Sequence, residues 1–511
     1  MTPSNDLFDL IKSLNSSEKK FLTTQLSSAS GSENIYLELY NVIDRQKEYD
    51  EQKIKKQFSK TLDARSFPVI KGRLFHLILD TLRAYCADDL PDFTVRQMIE
   101  KAIILNEKKL TDAAWKLIRK AKHEALSNEL FPEVLRALEK ERKIIQFQDI
   151  EVYEKLIQDN LTEEKIIVEK HNNLTEYAQL DSKMFAIYKR NLIVRNKEEV
   201  AFFKKLLQHP LLQNESSALS FLAKYYFYQL KSSCCYCLGD MEKSYEYAQK
   251  LIAMYETEQM LSHRVGMYMH SLQQMTNMQG SLGKLADLMQ TIRKIRDIAK
   301  TFPQFTKSIP PHFPFKFSVV AETDLYSRIA DYETGVAQIP RIESELKKFG
   351  YALPKNERYV VYYNITLLFF RAGDYHKALY WINKILNENK EEYVFDLICG
   401  ARILFLIIHI ELGNDDLLQY AAQSTQRYLT TRKRKYKVES IFFDLLKIIL
   451  NTDRKKELIG IYPQMLAQFK QLKADPYEAG AFEYFDFISW VESRVENRPF
   501  AQVVMKKAKA K

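Results

Sequence analysis

The feature that most constrains this chain is the spacing of its apolar residues, which recur at three- and four-residue intervals along nearly its whole length. Leu7, Phe8, Ile11 and Leu14 make one stripe, and Ile35, Tyr36, Leu39, Tyr40 and Ile43 make another. A longer stripe runs through Ile70, Leu74, Leu77, Ile78 and Leu82. A period near 3.6 puts such residues on one face of a helix. No stretch alternates apolar and polar residues long enough to specify a strand. Only 13 of the 511 residues are Gly, where average usage of about 7% would supply roughly 36. That shortage disfavours folds that need many tight turns or glycine-rich phosphate loops. The expected fold class is all-α.

The pattern is interrupted between Phe302 and Phe317 by Pro303, Pro310, Pro311 and Pro314. A regular helix does not hold four prolines in so short a span. The five phenylalanines of the same stretch suggest an extended segment packed onto a surface. The expected organisation is an N-terminal helical bundle over 1–90 and a helical-repeat region over 91–301. A proline-rich connector over 302–317, a second helical-repeat region over 318–498 and a basic tail over 499–511 follow.

Helix pairs build a bundle or a solenoid, and a repeated period decides between them. The best unit spans Tyr362 to Leu386. Its turn and second helix read Ala372-Gly373-Asp374-Tyr375-His376-Lys377-Ala378-Leu379, then Ile382 and Ile385. This resembles a tetratricopeptide repeat. Gly373 stands at the family's turn glycine, Tyr375 at its aromatic and Ala378 at the small residue of the helix crossing. Gly373 can end a helix in a left-handed turn, and Ile382 and Ile385 can fill the groove between paired helices. Weaker echoes follow Gly239, with Ser244 at the small position, and Gly413, with Leu418 there. Thr366 stands where the family favours Gly. The resemblance implies a superhelix of antiparallel helix pairs, a tetratricopeptide-like α-solenoid, and binding of a peptide or protein on its concave face. Tyr362, Tyr363 and Asn364 are candidates to line that face, with a place in the core as the alternative.

The first fifty residues carry a second resemblance. Leu7-Phe8-Asp9-Leu10-Ile11-Lys12-Ser13-Leu14, Ser17-Glu18-Lys19-Lys20-Phe21 and Tyr36-Leu37-Glu38-Leu39-Tyr40 look like the opening of long helical proteins from the Bacteroidetes. This implies a cytoplasmic helical-repeat protein and supplies no activity.

The chemistry-bearing residue types are sparse in pattern. Lys and Arg number 76 and Asp and Glu 66, a net charge of +10. That excess permits an acidic partner without requiring one. It is locally concentrated in Arg432, Lys433, Arg434, Lys435 and Lys437, the candidate site for an anionic partner, since clustered Lys and Arg attract phosphates. A solvated helix start or inter-helix turn is the favoured reading of that run, and phosphate binding the alternative. Cys234, Cys235 and Cys237 form the densest cysteine cluster. Structural zinc needs a second pair of ligands, which the flanking sequence lacks, so packing between helices is the favoured reading. The phosphate-loop, dinucleotide-binding, zinc-protease and nucleophile-elbow motifs are absent from the sequence, so no enzyme and no cofactor is expected. The apolar run Leu397 to Ile410 contains Arg402 and His409 and is too short for a bilayer. No membrane association is expected, and the start of the chain has no signal-peptide pattern.

The functional expectation is a cytoplasmic, non-catalytic interaction scaffold or adaptor. The alternative is a regulator that binds nucleic acid through its basic run or through the basic helices between Lys53 and Arg83, while the repeats sense a partner.

Overall fold

Wherever the described residues are regular they are helical, and no strand occurs among them. The structure is a computed structural model that describes all residues except 1–4, 15, 29–33, 60–65, 87–90, 148, 189–193, 195, 258–260, 304–308, 351–352, 389–394, 433–434, 452–457, 476 and 510–511. The chain divides into two compact units, Met1–Glu169 and Lys170–Lys511.

The first unit opens with α1 (Asp6–Ser13), α2 (Ser16–Ser28), α3 (Asn34–Arg45), α4 (Glu51–Gln57) and α5 (Ser66–Cys86). Their apolar stripes meet in one cluster, in which Ile11, Leu39, Ile43, Ile54, Leu74 and Ile78 are wholly buried. Burial of each such side chain is worth about 1.5–3 kcal/mol, which outweighs the weak stability of helices this short. Lys71 is buried among them, and its Nζ donates to Glu51 at 2.7 Å and to the hydroxyl of Tyr49. Then come α6 (Pro91–Glu107), α7 (Thr111–Ser127), α8 (Phe131–Ile145) and α9 (Ile150–Tyr188), the last containing the division between the units. Short turns return α7 onto α6 and α8 onto α7. The buried Glu141 accepts from Lys122 at 2.8 Å and from the amide of Asn160 at 2.8 Å. Lys122 also reaches Glu163 at 2.7 Å. These bonds replace the water that a buried carboxylate loses.

The second unit continues with α10 (Lys197–Leu207), α11 (Phe221–Cys237), α12 (Met241–Thr257), α13 (Leu261–Ser281), α14 (Leu285–Arg296) and α15 (Ile298–Thr301). After the prolines come α16 (Phe313–Arg328), α17 (Tyr332–Phe349), α18 (Lys355–Arg371), α19 (Tyr375–Glu388), α20 (Phe395–Leu412) and α21 (Asp415–Thr431). Two kinds of helix alternate. Helices α12, α14, α17, α19 and α21 are amphipathic and bury one face. Helices α11, α13, α16, α18 and α20 are buried around most of their circumference. In α18 every residue from Ile365 to Phe370 is buried. A helix buried on most sides needs neighbours on most sides. Accordingly α16 packs between α13 and α18, and α18 also touches α20. The apolar run from Leu397 to Ile410 is the body of α20, a helix buried on most sides. No helix of the described residues is long and apolar enough to cross a membrane.

The prolines do not keep Phe313 to Phe317 extended. Helix α16 begins inside the expected connector, with Pro314 in its first turn, where the missing N–H would have no intrahelical partner anyway. Residues 304–308 lie outside the described residues.

The unit ends with α22 (Lys437–Ile449), α23 (Leu458–Lys473), α24 (Ala481–Tyr484), α25 (Phe487–Val495) and α26 (Phe500–Lys509). These last helices fold back onto α18 and α20. Phe370 has Phe485 and Phe500 each 5.4 Å away, centroid to centroid. The indole N–H of Trp490 donates to Glu411 at 2.8 Å. The expected basic tail is largely α26, with Phe500 and Val503 buried and Lys507 bonded to Ser489 at 2.8 Å. Two apolar residues three apart give that basic segment a face to bury.

Candidate partner-binding surface

One turn recurs through the second unit. Gly239, Gly283, Ala330, Gly373 and Gly413 have φ of +81°, +70°, +56°, +81° and +68°, at intervals of 44, 47, 43 and 40 residues. After each, the next backbone N–H donates five residues back. Asp240 bonds Cys235 at 2.9 Å, Lys284 bonds Gln279 at 2.8 Å and Asp331 bonds Tyr326 at 3.2 Å. Asp374 bonds Phe369 and Asn414 bonds His409, each at 3.0 Å. This is the Schellman closure, which satisfies carbonyls left open at a helix end. The fifth residue after each turn is buried at the crossing of the paired helices: Ser244, Leu288, Gly335, Ala378 and Leu418. Lys109 and Glu129 make the same turn in the first unit, followed by the buried Ala114 and Val134.

The residues expected to define the repeat sit at this turn. Asp374 accepts from the backbone of Lys377 at 3.0 Å and starts α19. Tyr375 packs on Phe370 with centroids 5.2 Å apart. Ala378, Ile382 and Ile385 are wholly buried. Thr366 fills its place on α18 by turning its hydroxyl onto the carbonyl of Tyr362 at 2.8 Å. At the α11–α12 crossing Ser232 and Ser244 exchange hydroxyl-to-carbonyl bonds of 2.9 and 2.8 Å, a close approach that larger side chains would prevent. Sequence reasoning missed Gly283 and Ala330. The available signal was weak: an apolar residue, one residue in the left-handed region and a polar one, as in Ile329-Ala330-Asp331. An alanine there hides it.

The three candidate lining residues separate. Tyr363 is buried, and its hydroxyl donates to the carbonyl of Tyr484 at 3.0 Å. Gly400 lies in the same contact, where a Cβ would stand 3.2 Å from the Tyr363 hydroxyl and 3.3 Å from Tyr484. The chain's own C-terminal helices therefore cover this part of α18 and α20. Tyr362 is half-buried against Trp381, 5.4 Å away, and Lys384 Nζ stands 4.0 Å from the Trp381 ring. Asn364 is half-buried.

An open cleft of about 380 Å³ lies between α14, α16 and α17. Ile292 and Leu325 line it on the apolar side, and Arg296, Glu322 and Arg341 on the other. Arg296 forks onto Glu345 at 2.9 and 3.1 Å and onto Glu322, one bond being 2.8 Å. Arg341 joins both acids, at 2.6 Å to Glu322 and 2.9 Å to Glu345. Burial alone would raise the Glu322 carboxyl, but the two guanidiniums outweigh it and hold it below its ordinary value. The network is mutually neutralised, so the cleft offers shape and a charged rim.

Of the basic run, Arg432, Lys435 and Lys437 lie among the described residues. Arg432 lies over Tyr428, Cζ 3.9 Å from the ring centroid. Lys435 is exposed, with Nζ 5.8 Å from the Phe443 ring. Lys437 Nζ stands 3.6 Å from Asp475. The backbone N–H groups of Lys437 and Val438 donate to Glu478 at 3.1 and 3.3 Å, so the N-terminus of α22 already holds a carboxylate. Lys433 and Arg434 lie outside the described residues. In the Lys53–Arg83 segment Lys55 and Lys71 share Glu51, and Arg83 pairs with Asp80.

Cys234 and Cys235 are buried and Cys237 is half-buried. Burial pushes all three thiols up, Cys237 to about 12, which keeps them protonated and poorly nucleophilic. Among the described residues no group of three His, Cys, Asp or Glu is placed to hold a metal ion. No protein-family model matches the chain, and no curated protein matches it.

Proposed function

We propose that this is a cytoplasmic, non-catalytic scaffold or adaptor whose second unit is a tetratricopeptide-like α-solenoid holding a peptide or protein partner. The observation that carries this reading is the turn repeated at Gly239, Gly283, Ala330, Gly373 and Gly413, each joining a helix buried on most sides to an amphipathic one that buries one face. Such arrays are stable only as stacks, and their extended surfaces serve recognition. The C-terminal helices cover α18 and α20 near Tyr363 and Gly400. The partner surface therefore belongs to the earlier pairs, around α13 and α16, and to the cleft beside Arg341.

The test is affinity capture of the full chain from its native host, split into nuclease-treated and untreated halves, followed by cross-linking of the purified complex. A protein that survives nuclease and cross-links along α13 to α17 supports the scaffold. Partners that vanish with nuclease, leaving nucleic acid as the common ligand, overturn it in favour of the nucleic-acid-binding regulator.

A further inference from the structure

Helix α9 leaves an apolar stripe uncovered. Ile150, Leu161 and Val168 are 67%, 40% and 40% exposed, and Ile157 between them is half-buried. Single apolar residues scattered on a surface are ordinary, but a contiguous row is not. The steps between these four residues are seven, four and seven. At 3.6 residues per turn they fall within about 40° of one another, along about 27 Å of helix. The whole row lies within the first unit, and α9 packs in that unit through a different face. Asn160 and Ile167 are buried, Glu163 accepts from Lys122 at 2.7 Å, and Arg142 forks onto Glu164 at 2.8 and 3.0 Å. Asn160 and Ile167 stand roughly a quarter-turn from the stripe.

The spacing reads the same in both directions. Ile150 and Val168 lie nine residues either side of Asp159, and Ile157 and Leu161 lie two either side. A two-fold axis at the level of Asp159 therefore sets Ile150 of one copy against Val168 of a second, and Ile157 against Leu161, with the helices antiparallel. Such an interface uses one patch twice, and apolar residues at seven-residue steps form a seam along which helices pack. The charges beside the stripe obey the same symmetry. Glu154 and Lys165 are exposed on one flank of it, and neither is held by an ion pair among the described residues. Glu154 stands five residues before Asp159 and Lys165 six after. Like flanks meet in an antiparallel pair, so each Glu154 comes beside the Lys165 of the other copy. A contact between two helices of this length is small, at or below about 1,200 Å², so the association is reversible and depends on concentration.

We infer that the stripe of Ile150, Ile157, Leu161 and Val168 is covered by the same stripe of a second copy of this chain, in a two-fold antiparallel contact flanked by two Glu154–Lys165 pairs. The inference does not rest on the scaffold reading, which concerns the second unit. Where both hold, the dimer presents two copies of that unit to one partner.

The experiment is sedimentation velocity of the full-length protein from low to high micromolar concentration, where a monomer–dimer equilibrium is expected. Leu161→Glu puts two carboxylates at the centre of the contact and should raise the dissociation constant at least about a hundredfold. Glu154→Lys or Lys165→Glu alone sets like charges together at two symmetry-related places, and each should raise it roughly tenfold. The double reversal, Glu154→Lys with Lys165→Glu, rebuilds both pairs with inverted polarity and should restore the wild-type value. Leu161, Glu154 and Lys165 are all exposed, so each variant should fold, which circular dichroism checks. Ile104→Glu, at an exposed apolar residue of α6, should leave the equilibrium unchanged. A chain that stays monomeric assigns the stripe to another occupant and overturns the inference. So does a dimer indifferent to folded Leu161→Glu. Single reversals without effect, or not rescued by the double reversal, overturn the antiparallel pairing and the inference with it.

Discussion

The hydroxyl of Tyr363 donates to the carbonyl of Tyr484 across 121 residues of sequence, which ties α18 to the chain's own C-terminal helices. Gly400 makes room for that contact, and Phe370 of the same helix packs edge-to-face with Phe485 and Phe500. Tyr363→Phe keeps the ring and leaves a buried carbonyl without its donor. The expected cost is about 1–2 kcal/mol, seen as faster amide hydrogen exchange across 481–500 ahead of any change in α11 to α14. Uniform loss of protection over the whole second unit would contradict this local role.

Ala330 and Gly373 occupy equivalent turns, with φ of +56° and +81°, but only glycine adopts that region freely. Gly373→Ala places a Cβ in a conformation that costs about 1 kcal/mol, although it meets no neighbouring atom. Ala330→Gly removes the same strain and adds only the entropy of a freer unfolded chain. Thermal unfolding should therefore show a lower midpoint for the first variant and an unchanged or higher one for the second. Equal losses in both would show that the turn geometry does not set the cost.

Glu322 is held between Arg296 and Arg341, and its depressed pKa ties stability to pH. Both folded and unfolded forms are ionised above the ordinary carboxylate range near about pH 4.3. Below it the unfolded chain takes up the proton first, so the contribution is lost as pH falls through the lower native value. Glu322→Gln should destabilise by about 2–4 kcal/mol, because it leaves two guanidiniums short of a partner in a largely buried place. The variant should also show a flatter decline in stability between about pH 5 and pH 3. Denaturant midpoints measured across that range check both outcomes.

Cys234, Cys235 and Cys237 have raised pKa values for one shared reason, burial. Their contribution is fully present below the unfolded thiol value near about 8.5 and is lost as pH rises toward the native values. Iodoacetamide at pH 8 should leave these three positions unmodified in the native protein and label them after denaturation, as peptide mass mapping would read. Rapid native labelling of Cys237 would show a reactive thiol and remove the packing account.

The helical elements were legible because helix formation is local. Stripes such as Leu7 to Leu14 and Ile70 to Leu82 state which face is buried without reference to anything distant. Gly373 with Ala378 was legible for the same reason, as turn and crossing lie five residues apart. Ala330 was not, since nothing in an alanine announces a left-handed backbone, and only the return of α17 onto α16 imposes it. The prolines before Phe317 misled because a proline in a first turn and a proline within a helix look alike in sequence.

What the sequence determined by itself is the all-helical class, the absence of long alternating runs and the turns at Gly239, Gly373 and Gly413, because periodicity and backbone preference act over a few residues. The tertiary structure alone decided which helices are buried on most sides and which on one face. It also closed α18 and α20 beneath Tyr484 and Phe500, and it set Arg402 and Arg432 on Tyr428. Those outcomes depend on side chains 26 to 130 residues apart, and burial, not local preference, selects which of them meet.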